Sequence, residues 1–266
     1  MLQRPILLCL AILVVLSCAT AVLASPPPWY NDFFSFRHSS ALPGMLFGVS
    51  PTGEVGFGGA FQQNIPVAYT PTWHNAVIGG NVGSEGTGFP SSLSGSGVNG
   101  TAVLGLGLSR APHGVYVSWM MTGETGEGCF NAQVQVLGPQ DDDDRRPALA
   151  IGCQDLFNER NRFPGDHHNA RSVYAVLTGP IPEATWRPIY WSVGWGDGRF
   201  QKGFAGLQVP VDDHWKLVGE YDSFNLNAGV AWGLNGMSNL ERSDVMAYGG
   251  MTDLKHPVLG LTWTWR

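Results

Sequence analysis

Charge is scarce in this chain. Asp, Glu, Lys and Arg make up 14% of its 266 residues, against about 25% in an ordinary soluble domain. The net charge is −6, so the basic footprint of a nucleic-acid binder is missing and nucleic acid is excluded as a partner. Beyond the first residues there is no long apolar run. Such a chain crosses a membrane, if at all, as strands. Helical periodicity is missing too, because no segment repeats apolar residues at spacings of three and four. The signatures of catalysis are also absent. His38, His74, His113, His167, His168, His214 and His256 are scattered, and no Gly-x-Ser-x-Gly elbow joins a strand to a helix. Residues 141–146, DDDDRR, lack the glycine that bends a calcium loop and read as a solvated hairpin tip. Asp166-His167-His168 has no third ligand at useful spacing. The expectation is a chain that is no enzyme, with no cofactor and no metal.

Glycine and tryptophan are plentiful, at 36 and 10 residues. The chain opens on Arg4, an apolar run over residues 6–16 and Val22-Leu23-Ala24. This is the order of a secretory signal, predicted to span residues 1–24. Residues 25–266 then form a single domain. Leu16-Ser17-Cys18 offers a competing lipid-acceptor reading. An uncleaved anchor is a third, although the run falls short of the about 20 residues that span a bilayer. Of the four cysteines, Cys9 and Cys18 leave with the signal. Cys129 and Cys153 stay, in a compartment where disulfides form, on the two arms of an expected hairpin. Facing Val134 and Val136 the same way as Leu149 and Ile151 puts the two thiols on opposite faces. A bridge and two buried free thiols both stand open.

The most legible stretch is residues 214–234, HWKLVGEYDSFNLNAGVAWGL. Phe224, Leu226, Ala228, Val230, Trp232 and Leu234 share one parity; Asn225, Asn227, Gly229, Ala231 and Gly233 share the other. Successive side chains of a strand point to opposite faces, so one face is apolar and the other small and polar. Trp215, Leu217 and Tyr221 repeat the device against Lys216, Glu220 and Asp222, with Asp222-Ser223 expected as the turn. The same alternation runs through residues 45–49, 55–61, 101–109, 115–121, 130–138, 172–178, 187–195, 203–209, 245–251 and 256–266. Residues 66–82 hold one or two strands, interrupted at Pro71. Residues 29–40 read as a short plug or interfacial segment. Long polar loops cover residues 83–100 and 153–171. The pattern predicts roughly 12–14 strands.

A soluble sandwich also alternates, but its second face carries Lys, Glu and Arg for water. Here that face carries Gly, Ser, Thr, Asn and Gln. This is the lumen of an outer-membrane barrel, whose apolar parity meets lipid. Trp191, Trp195, Trp215, Trp232, Trp263 and Trp265 near strand ends fit an aromatic girdle. The predicted fold is all-β, an antiparallel up-and-down transmembrane barrel with long polar loops. Its expected partner is the outer-membrane bilayer; a secreted carbohydrate-binding sandwich is the alternative.

Specific wording appears in the second half. Residues 133–138, QVQVLG, are followed by residues 146–152, RPALAIG, and Gln154-Asp155-Leu156. Then come residues 192–200, SVGWGDGRF, residues 204–207, FAGL, residues 217–222, LVGEYD, and Asn227-Ala228-Gly229-Val230. In this order they resemble the YjbH-like outer-membrane barrels associated with exopolysaccharide production and export. This chain would be a compact, barrel-only version. The resemblance implies a non-enzymatic role in polysaccharide assembly or export, with polysaccharide as partner, and brings no catalytic residues. Sugar hydroxyls need donors and acceptors, so the lumen-side candidates for binding are Lys216, Glu220, Asp222, Asn225 and Asn227.

Overall fold

The structure, a computed structural model, describes residues 41–84, 98–109, 113–122, 128–139, 146–157, 171–181, 187–234 and 243–266. The expected signal over residues 1–24, the plug or interfacial segment over residues 29–40, most of the DDDDRR run and Asp166-His167-His168 lie outside the described residues.

Among the described residues, twelve antiparallel strands close on themselves. They are β1 (Ala76–Ser84), β2 (Val98–Gly107), β3 (Val115–Thr122), β4 (Gly128–Leu137), β5 (Ala148–Gln154) and β6 (Ser172–Ile181). Next come β7 (Ile189–Gly196), β8 (Phe204–Pro210), β9 (Trp215–Tyr221), β10 (Leu226–Gly233), β11 (Ser243–Thr252) and β12 (His256–Trp265). Each strand pairs with its neighbours in sequence, and β12 returns to β1 with Ala76 opposite Trp265 and Val82 opposite Leu259. Among the described residues the sheet is a single closed layer, not the two packed sheets of a sandwich.

The alternation predicts which way each side chain points. On β12, Leu259 and Leu261 face outward at 62% and 57% exposure, while Thr262 and Thr264 are buried inside. On β4, Phe130 and Val134 face out while Asn131, Gln133 and Gln135 face in. Trp215 stacks on Trp232 across the β9–β10 pair, with ring centroids 5.3 Å apart and planes within 7°. Trp263 and Trp265 sit 4.5 Å apart on β12. With Trp191 these rings gather toward the end holding the start of β1 and the end of β12, the terminal end. Trp195 lies at the opposite, far end. The girdle is therefore lopsided.

Two expected strands are not strands. Residues 45–49 and 55–61 form no part of the wall. They belong to an irregular segment, residues 41–75, that runs inside the barrel with only isolated bridges, Met45 to Gln62 and Val49 to Val55 and Ala60. Leu46 (φ 61°), Gly44 (φ 84°) and Gly53 (φ 81°) take left-handed backbone and bend its path. Residues 66–82 likewise hold a strand only from Ala76. The reason is the width of the lumen. Eight strands enclose a space that side chains fill, and larger barrels leave room to be filled otherwise. The small inward residues here leave room for a chain. Leu42, Met45, Leu46, Phe47, Val49, Val55, Phe57, Phe61, Ile65 and Val67 are all 0–2% exposed. Each such burial contributes about 1.5–3 kcal/mol. They pack on inward wall residues that include Tyr116, Tyr174, Val176 and Phe204, and Tyr248 and Met246.

Cys129 and Cys153 are buried and form no bridge with each other. Cys153 pairs with Ala132 on β4, about 10 Å along the strand from Cys129 at the usual rise per residue. The two also have opposite parity, so the bridge is excluded by register.

Candidate functional site

Where this irregular segment is buried, its backbone N–H and C=O groups must find partners. The wall's polar parity supplies them around the circumference. On β4, Gln135 Oε1 accepts from the Thr70 N–H at 2.9 Å, and Gln133 Nε2 donates to the Val67 carbonyl at 2.9 Å. On β6, Thr178 Oγ1 accepts from the Ala68 N–H at 2.8 Å. On β8, Gln208 Oε1 accepts from the Phe61 N–H. At the terminal end, Asp244 Oδ2 accepts from the Phe57 N–H at 3.2 Å and pairs with Arg266 at 2.7 Å. Arg266 Nε donates to the Val55 carbonyl at 3.0 Å.

The five predicted lumen residues all face inward and are 0–5% exposed. They do not form one site. Glu220, Asp222 and Asn227 meet near the far end. Asn227 Nδ2 donates to both carboxylates, at 3.0 Å to Glu220 Oε1 and 2.9 Å to Asp222 Oδ2. The inner segment completes the cluster: the Gln63 N–H donates to Glu220 Oε2 at 2.9 Å, and Asn64 Nδ2 to Asp222 Oδ2 at 2.8 Å. Tyr248 Oη donates to Gln63 Oε1. Asn225 belongs to the β9–β10 turn. Its N–H and that of Phe224 donate to Asp222 Oδ1, at 2.8 and 3.1 Å. The Asp222 N–H donates to the Asn225 carbonyl at 3.1 Å, so the two-residue loop is Ser223-Phe224, one position later than expected. Ser223 takes the left-handed conformation, φ 79°.

Lys216 stands apart, four residues from Glu220 on the same face and so about 13 Å away. Its Nζ donates to the carbonyls of Phe57 and of Gly59, the latter at 2.7 Å, and lies 4.6 Å from the centre of the Phe57 ring. Among the described residues no carboxylate pairs with it. Held by two carbonyls and a ring face, the Lys216 amino group pins the inner segment.

Arg199 is not among the residues that the sequence singles out for the lumen, although it sits in the GDGRF turn. The turn Gly198–Phe200 between β7 and β8 folds it inward until it is 1% exposed. It donates to the Asn64 carbonyl and to Gln154 Oε1, the latter at 3.1 Å. Burial pushes its guanidinium down to about 10, against the pull of Asp222 and Glu220, so it stays charged at neutral pH. Gln63, Asn64 and Asp244 also escape a reading of the sequence. Nothing in their local surroundings marks them, since their partners Glu220, Asp222 and Phe57 lie 157 to 187 residues away.

Chemically, these groups bind peptide rather than an open lumen. The chain is a barrel with its own core.

No protein-family model matches the chain, and no curated protein matches it. Among solved structures it is similar to a KdgM porin in complex with disordered oligogalacturonate. That likeness has a TM-score of 0.49 and 7% identity, over 72% of this chain and 98% of that one.

Proposed function

We propose that this chain is a non-enzymatic outer-membrane β-barrel that assists the assembly or export of an extracellular polysaccharide. The observation that carries the membrane part is the two-faced closed wall. Leucine, valine and tryptophan face outward all round, while Ser, Thr, Asn and Gln face inward beside the Tyr, Val and Met side chains that pack on the inner segment. Water would penalise that exterior; lipid favours it. The strands are 7 to 10 residues long, close to the about 9–11 of a tilted spanning strand. The polysaccharide part is supported by the ordered YjbH-like wording from residue 133 to residue 230.

Membrane fractionation and gene deletion test the two parts. The protein is expected to pellet with outer membranes and resist salt washing. Deletion is expected to lower secreted polysaccharide several-fold. Unchanged secretion from a deletion strain whose complement is expressed normally would overturn the polysaccharide role, and salt release would overturn the membrane one.

A further inference from the structure

We infer that the barrel works with its lumen permanently sealed, so that any polysaccharide it serves passes elsewhere. This deepens the proposed role and rests on it. Three observations carry the inference. First, residues 41–75 pack as a core rather than lie in a channel: ten of their Leu, Met, Val, Ile and Phe side chains are at most 2% exposed. Extracting the segment would expose all of them together with the inward rings of Tyr116, Tyr174 and Tyr248. Second, the anchors are spread around the wall and along its length. Gln133 and Gln135, Thr178, Lys216, Glu220 and Asp244 each hold a different backbone group. No single strand acts as a hinge that could release them together. Third, the wall is cut to this occupant. Gly206, Gly233 and Gly260 on β8, β10 and β12 have no Cβ where Ile65 and Gln62, Phe57 and Leu46 lie; a Cβ there would fall 2.5 to 3.0 Å from those side chains. A conduit needs a wall that suits its cargo, whereas this wall matches its own chain.

The test uses the full chain in two arms. Reconstituted into liposomes, it is expected to let neutral mono- and disaccharides in no faster than protein-free vesicles. Steady sugar-driven swelling would overturn the inference. In cells, Ala68→Cys with Thr178→Cys, made in a Cys129→Ser, Cys153→Ser background, is bridged by oxidation to a disulfide. This locks the segment to β6. Secretion is expected to stay within two-fold of the unbridged cells. A ten-fold loss that reduction restores would show that the segment must leave the lumen. Failure of the polysaccharide role itself shows differently, as no change on gene deletion, and leaves the liposome result to decide the seal.

Discussion

Gly233 and Gly249 look alike in the sequence and differ in what they face. A Cβ on Gly233 would lie 2.6 Å from Cγ of Phe57, near the root of that ring, whereas one on Gly249 would meet only Leu259, at 3.6 Å. Overpacking of this kind costs about 1–3 kcal/mol. Gly233→Val is therefore expected to lower the urea midpoint of the refolded barrel by that order, and Gly249→Ala to leave it unchanged. Lys216 makes a second contrast. Lys216→Met keeps the stem's bulk but leaves the carbonyls of Phe57 and Gly59 without their donor. The expected loss is about 2 kcal/mol, the cost of leaving buried acceptors unsatisfied, read from the same urea titration. No loss would mean that those carbonyls find other partners.

The β9–β10 hairpin is where a single residue organises an element. Asp222 takes the two turn N–H groups on one oxygen and Asn64 and Asn227 on the other. It thereby closes the hairpin and fastens the inner segment to it. Asp222→Ala is expected to destabilise the barrel by about 2–3 kcal/mol, the scale of charged hydrogen bonds lost from a buried site. It should also speed proteolysis within residues 41–75. Asp222→Asn keeps the acceptor that serves the turn but brings an amide donor up against two others. Its expected effect is intermediate, with the turn kept and the segment loosened. Limited proteolysis and urea midpoints, measured on both variants, separate the two roles. Equal behaviour of Ala and Asn would remove the distinction.

At the scale of the whole molecule, the apolar surface and the tryptophans make one prediction. In a bilayer, fluorescence from Trp191, Trp215, Trp232, Trp263 and Trp265 is expected to be blue-shifted. It should be quenched by lipids brominated near the headgroup more than by lipids brominated at the bilayer centre, because these rings gather toward one end of the wall. Equal quenching at both depths would contradict that placement. The folded barrel is also expected to migrate differently on a gel before and after boiling.

The strand wall is legible in the amino-acid order because a strand's period of two is local. Each of Leu259, Leu261, Trp263 and Trp265 declares its face through its own neighbours, and so does each of Asn227, Gly229 and Ala231. Which small polar residues face inward follows directly. What they touch does not. Residues 45–49 and 55–61 alternate as well as any wall strand, yet they fold inside, because alternation records two unlike environments and not which partners provide them. A narrow sheet-lined interior supplies apolar and hydrogen-bonding surroundings just as a strand neighbour would. Only closure of β1 on β12 creates that interior, with a width that side chains alone leave unfilled. That closure turns Lys216, Glu220, Asp222 and Asn227 from lumen groups open to a sugar into anchors for the chain's own backbone.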